Sequence, residues 1–328
     1  MGARFSLLLA LLLFGAVSFC FTGHPQASWP LAQMDDYLLN IIIMAGINVT
    51  LAVSLNVVNG HTGQFSLGHA GFMAVGAYGC SLFTQILGKP LLVELAFLGG
   101  AAPAVLFGSA LLLGGALAAL AGLAVGLPSL RLKGDYLAIV TLGFGEIIRV
   151  VIQNTEALGG ARGLTGIPPY TSLGWAWGVA ALSVYCVSSL VGSTYGRGFL
   201  AVRDDEIAAE SVGVPTTRYK VTAFVVGAFF AGLAGALYAH QICYISPEGF
   251  SFMKSVEVVV MVILGGMGST VGVSLAAVLL TGLNELLRQA QEYRMVAFSL
   301  MLIILMITRP QGLIGDLARF MPGRRSGK

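Results

Sequence analysis

Apolar runs separated by short polar connections recur along the whole chain. They fall at 5–23, 37–58, 64–87, 92–127, 136–153, 173–194, 221–245, 255–287 and 293–308. The runs do not alternate with period two, and most reach the roughly 20 residues that a helix needs to cross a hydrocarbon core. Backbone polar groups cannot stay unpaired in lipid, so such runs predict membrane-spanning helices. Two runs are too long for one crossing: 92–127 and 255–287 would each extend roughly 50 Å against a core of about 30 Å. Each holds a breaker. Pro103 follows Gly99 and Gly100 in the first, and Gly265-Gly266-Met267-Gly268 divides the second. Kinked, broken or re-entrant helices are therefore expected at both places. The fold class predicted is an all-α integral membrane protein of about nine or ten passes, arranged as a single transmembrane domain over residues 1–328.

Composition agrees with the pattern. Of 328 residues, 56% are hydrophobic and 10% charged, with mean hydropathy +0.86; soluble domains carry about 25% charged residues. No Lys- or Arg-rich stripe with interleaved aromatics is present, which argues against a nucleic-acid partner. Cys20, Cys80, Cys186 and Cys243 are far apart and form no C-x-x-C, so they read as buried hydrophobes and no metal site is expected. Residues 1–23 resemble a secretory signal, with Arg4 before a Leu-rich run. No clean small-x-small cleavage site follows, and the segment is read as an uncleaved first span.

Basic residues gather on the cytoplasmic side of multi-pass proteins. With Met1 inside, Arg131, Lys133, Arg197, Arg203, Arg218 and Lys220 face the cytoplasm. The basic tail 309–328 joins them if 255–287 enters and returns as a hairpin, so both termini are predicted to be cytoplasmic. Gly60-His61-Thr62-Gly63 and Gly265-Gly266-Met267-Gly268 each interrupt apolar helices. Interrupted helices at corresponding points of two halves mark the substrate path in many transporters, which makes an inverted repeat a possibility.

Charged groups within spans are costly and are functional candidates by default. Glu146 and Arg149 lie three residues apart on one helix face, and a structural ion pair is the plainer reading. Glu94, Glu257 and Glu285 fall near segment ends and read as interfacial. Asn40, Asn48, Thr50 and Asn56 suit interhelical hydrogen bonding as well as a path. The stretch 63–71 is small and polar for a span; Gln64, Ser66 and His69, with Gly266 and Ser269 at the second break, are candidates for the translocation path. A packed donor is the plainer reading of His69. No phosphate-binding loop, H-E-x-x-H helix or paired intramembrane carboxylates are found, so the chain does not read as an enzyme. If ATP drives it, another chain must bind it.

The sizeable charged stretch is 195–220, with four basic and four acidic side chains. Asp204 or Asp205 suits an N-cap, Gly213 can close a helix, and Pro215 stops it. This predicts a short helix of about two turns on the cytoplasmic side. Two readings stay open on these residues: a handle gripped from the water phase, or an ordinary interfacial loop.

Glu206-x-Ala208-Ala209-x-x-x-Gly213 resembles the E-A-A-x-x-x-G loop of ABC importer permeases. The run from Leu132 to Arg149, L-K-G-D-Y-L-A-I-V-T-L-G-F-G-E-I-I-R, is similar to branched-chain amino acid permeases of the LivM type. So are Gly63 to Phe72, Ala228 to Leu237 and Ile263 to Ser269. The turn Gly159-Gly160-Ala161-Arg162-Gly163 departs from the G-G-P-N-G expected there. The resemblance covers most of 37–315. It implies an inner-membrane permease subunit that hydrolyses nothing and holds no cofactor, ATP and Mg being used by partner subunits. Those partners would be a second related permease, two cytoplasmic ATPases and a periplasmic binding protein, in the lipid bilayer. Asp205, Glu206, Ala208, Ala209 and Gly213 would couple to an ATPase. The cargo implied is a branched-chain or other aliphatic amino acid, with urea and short amides carried by related systems. A stand-alone secondary transporter is the competing class.

Overall fold

The computed structural model describes residues 36–94, 99, 101–129, 135–287 and 300. The expected first span, the tail, nearly all of 293–308 and Leu132–Gly134 of the long motif lie outside the described residues. The described chain is helical almost throughout. Helix α1 (Asp36–Asn56) runs on into a π-helical turn, Val57–His61. There follow α2 (His69–Ile86), α3 (Gly88–Glu94), α4 (Ala102–Ser129) and α5 (Asp135–Asn154). Next come α6 (Leu173–Gly192), α7 (Thr194–Asp204), α8 (Glu206–Ser211) and α9 (Thr216–Ile242). The last two are α10 (Phe252–Gly265) and α11 (Thr270–Leu286). Among the described residues, five helices are long and apolar enough to cross a membrane: those at Asp36–His61, Ala102–Pro128, Tyr136–Asn154, Leu173–Gly192 and Thr216–Ile242.

The core is made by close helix crossings in which glycine sets the distance. A Cβ on Gly76 of α2 would stand 2.2 Å from Gly232 Cα of α9, and one on Gly114 of α4 would stand 2.8 Å from the Gly76 carbonyl oxygen. Side chains cannot enter such contacts, so α2, α4 and α9 meet backbone to backbone, as small residues allow in membranes. Helix α1 is the most enclosed of the spans, 83% buried over its most apolar window, against 22% for α5.

The bundle has two distinct ends. At the ribbon end, β1 (Leu164–Thr165) pairs antiparallel with β2 (Tyr244–Ile245). The Gln85 amide at the end of α2 donates to the Thr165 carbonyl at 2.8 Å, and the Tyr244 hydroxyl donates to the Arg162 carbonyl at 3.0 Å. At the loop end lie α7, α8 and both glycine-rich breaks.

The 92–127 run is interrupted as expected: α3 ends at Glu94 and α4 starts at Ala102, with Pro103 in its first turn, where the missing N–H has no helical partner to lose. The structure corrects two other local expectations. The run starting at 64 becomes helical only at His69, because 62–68 is a non-helical crossing. Residues 195–220 hold more than the expected short helix α8: α7 precedes it, joined at Asp205, and the first turn of α9 follows it.

The run 255–287 is a hairpin. Its arms of 14 and 17 residues reach roughly 21 and 26 Å, short of a full hydrocarbon core. A Cβ on Gly265 would stand 2.4 Å from Val273 Cα, so the arms touch directly beside the turn. At the open end, Glu257 bridges the arms: Lys254 Nζ lies 3.0 Å from its Oε2 and Asn284 Nδ2 donates to its Oε1 at 2.8 Å. The Tyr37 hydroxyl donates to Glu285. The hairpin thus enters from the ribbon end and returns to it.

Candidate coupling and translocation site

The non-helical crossing at 62–68 explains how irregular backbone survives inside an apolar bundle. Each N–H without a helical partner needs another acceptor. Gln64 N donates to the Val58 carbonyl at 3.0 Å, Ser66 N to Asn59 Oδ1 at 3.1 Å, and Leu67 N to Thr141 Oγ1 at 3.1 Å. Ala70 N donates to Ser255 Oγ at 3.1 Å. Side chains from α5 and α10 and from the π-helical turn therefore hold this segment. Gly68 is required, since its Cβ would lie 2.2 Å from the Thr141 carbonyl oxygen.

The two glycine breaks, over 200 residues apart in sequence, meet at the loop end. Gly268 N donates to Asn56 Oδ1 at 2.9 Å, and a Cβ on Gly60 would stand 2.3 Å from Gly268 N. Gly266 (φ 90°) and Gly268 (φ 86°) make the hairpin turn, and Ser269 Oγ accepts from Gly272 N at 3.1 Å to cap α11. Arg203, in the last turn of α7, lies across both breaks. A Cβ on Gly63 would stand 2.9 Å from Arg203 Cγ, and one on Gly268 would stand 3.2 Å from Arg203 Nη1. Its guanidinium also pairs with Asp204 Oδ1 at 3.0 Å.

The path candidates separate into two groups. His69 is buried, with Nε2 2.7 Å from Ser54 Oγ, and packs edge-on against Phe72. Gln64 and Ser66 are buried too, but both amide atoms of Gln64 and the Ser66 hydroxyl have no hydrogen-bond partner among the described residues. Such groups cost free energy unless something else satisfies them. A small crevice between α2, α5 and α10 is lined by Leu67, Ala70, Gly145, Glu146, Phe252 and Ser255, and neither Gln64 nor Ser66 lines it. Arg149 Nε donates to Glu146 Oε2 at 2.7 Å, both side chains being partly exposed on α5. The α1 ladder is interhelical in part: the Gln241 amide donates to Asn40 Oδ1 at 3.1 Å and Asn48 Nδ2 donates to Thr281 Oγ1 at 2.9 Å. Thr50 bonds within its own helix.

In the loop, Asp205 rather than Asp204 is the N-cap of α8: its Oδ1 accepts from Ile207 N at 2.9 Å and Ala208 N at 3.0 Å. Gly213 (φ 85°) turns the chain after the helix, as a left-handed C-terminal residue does. Ala208 is exposed and Ala209 buried. Glu206 faces α9, with Oε2 2.6 Å from Lys220 Nζ. Arg203 and Lys220 are not among the expected site residues, and Asn56, weighed for hydrogen bonding or a path, proves to hold the hairpin turn. Lys220 carried a usable signal, a charge in the first turns of an otherwise apolar helix.

Residues 37–308 match the family described as branched-chain amino acid transport system / permease component. The chain belongs to that family. It is 38% identical over 322 residues to the high-affinity branched-chain amino acid transport system permease protein LivM of Salmonella typhimurium, covering 88% of this chain and 72% of that protein. Its identity to the LivM of Escherichia coli is 37% over the same shares. The LivH permease protein of Escherichia coli is 30% identical over 143 residues, 42% of this chain and 46% of that protein. No solved structure matches the chain. For a branched-chain amino acid permease component, a multi-pass helical bundle with an exposed, rigidly capped loop at one end is a coherent design.

Proposed function

We propose that the chain is the permease subunit of an ATP-driven ABC importer that moves branched-chain or other aliphatic amino acids delivered by a periplasmic binding protein. The observation that carries this is the similarity to LivM over 88% of the chain. The likeness to LivH supports a second, related permease beside it. In this reading the loop end faces the cytoplasm, with both termini on that side of the inner membrane. Two ATPase subunits engage α8 around Asp205, Ala208 and Gly213 and use ATP and Mg, while this chain binds no cofactor. Closure of the ATPase pair moves the permease between inward- and outward-facing states as rigid bodies. Gln64, Ser66, His69, Gly266 and Ser269 lie along or beside the path. The unpartnered amide of Gln64 and hydroxyl of Ser66 suit a transient contact with the ammonium and carboxylate of an amino acid.

The test is reconstitution in liposomes with the second permease, the ATPases and the binding protein encoded beside this chain. ATP-dependent uptake of labelled leucine, competed by isoleucine and valine and not by urea or acetamide, is expected. Uptake by this chain alone under an ion gradient would overturn the reading in favour of a secondary transporter.

A further inference from the structure

Both acidic side chains of α8 turn the same way. Glu206 pairs with Lys220 at 2.6 Å, and Glu210 Oε1 accepts from Thr216 Oγ1 at 2.7 Å. Residues three and four apart share a helix face, and Ala209 on that face is buried. Ile207 of α8 and Val212 just beyond its end are 72% and 78% exposed. Lys220 has a side chain only 4% exposed. Among the described residues Glu206 is the one carboxylate such an ammonium meets, and removing a partner from a buried pair leaves an uncompensated charge. The link is therefore unlike an exposed ion pair that forms and breaks freely.

We infer that Glu206 and Lys220 are positioning residues: together they form a brace that passes displacement of α8 to α9, and Glu206 is not itself a contact to the ATPase. The resemblance had placed Glu206 in a partner's cleft; the geometry gives that carboxylate a partner within the chain. The brace acts on a helix fit to transmit movement. Helix α9 runs 27 residues from the loop end to the ribbon end and crosses α2 and α4 at glycine contacts. Its first turns are also gripped by α7, where Tyr195, Phe199 and Tyr219 form a ring cluster with centroids 4.6 to 5.7 Å apart. The inference rests on the proposed function for its partner, and on the structure alone for the brace.

Four forms are compared: wild type, Glu206→Gln, the charge swap Glu206→Lys with Lys220→Glu, and the neutral pair Glu206→Gln with Lys220→Met. The neutral pair leaves no buried charge and so tests the brace even if Glu206→Gln folds poorly. Co-purification with the ATPases, uptake per ATP hydrolysed, and hydrogen exchange of the 207–214 amides are measured. Glu206→Gln and the neutral pair are expected to retain the ATPases, to exchange at 207–214 at least about tenfold faster, and to lose uptake per ATP by about tenfold. The charge swap should recover most of both. Loss of ATPase binding in the neutral pair, or wild-type coupling in it, overturns the inference. If the wild-type assembly shows no ATP-driven uptake, the proposed function fails instead, and unchanged exchange in the neutral pair would still overturn the brace.

Discussion

Replacing Asn56 by Leu tests whether the two helix breaks are held together by one side chain. Asn56 is fully buried, and its Oδ1 accepts from Gly268 N at 2.9 Å while its Nδ2 lies 3.4 Å from His61 Nε2. Leu matches the volume but accepts nothing, so the partly buried Gly268 N–H loses its acceptor. A fully buried donor without a partner costs about 1–3 kcal/mol, which bounds the effect from above. If that cost is relieved by opening of the hairpin turn, the open population rises by at most about 150-fold. The readout is hydrogen exchange of the Gly268 amide in the detergent-solubilised protein, where local opening sets the rate. Exchange at Gly268 should accelerate within that range, while amides in the middle of α9 keep wild-type rates. Unchanged protection at Gly268 would refute the reasoning, because the turn would then be held by its own glycine geometry and not by α1.

Gly76→Val places a branched side chain where Gly232 Cα would lie 2.2 Å from the new Cβ, and overpacking of this kind costs about 1–3 kcal/mol. Thermal unfolding in detergent should show a lowered midpoint, whereas Gly143→Ala, with nothing within 4 Å of the added Cβ, should leave the midpoint unchanged or raise it. At Gly213 there is also open space around a Cβ, so the cost of substitution is the φ of 85° alone. Gly213→Val should weaken ATPase co-purification and transport more than Gly213→Asn, since Asn adopts left-handed backbone more readily.

The helices were legible because a membrane allows few alternatives: long apolar runs without period-two alternation become helices, and Gly265–Gly268 interrupts one of them as expected. Where helices begin was less legible. His69 rather than Gln64 starts α2 because Asn59, Thr141 and Ser255 satisfy the preceding backbone, and two of these three are distant in sequence. Pro103 does mark the interruption of the 92–127 run: it lies in the first turn of α4, where proline is tolerated, so it opens a helix instead of kinking one. The loop's N-cap and closing glycine could be read locally, whereas the partner of Glu206 could not. Lys220 reaches it only because the chain folds back through Gly213 and Pro215, and that angle is written in no single spacing.

The loop end therefore joins two lines of contact that the sequence shows as separate motifs. One leads from α8 through Glu206 and Lys220 into α9, and the other from α7 through Arg203 onto Gly63 and Gly268. Helices α7 and α8 are joined at Asp205, whose backbone N–H closes the first by donating to the Ala201 carbonyl and whose side chain opens the second. A push on α8 cannot leave α7 untouched. In the proposed importer, one partner contact would then act on both a core helix and the junction of the two breaks. That junction is held by Asn56 alone among side-chain hydrogen bonds to Gly268 in the described residues.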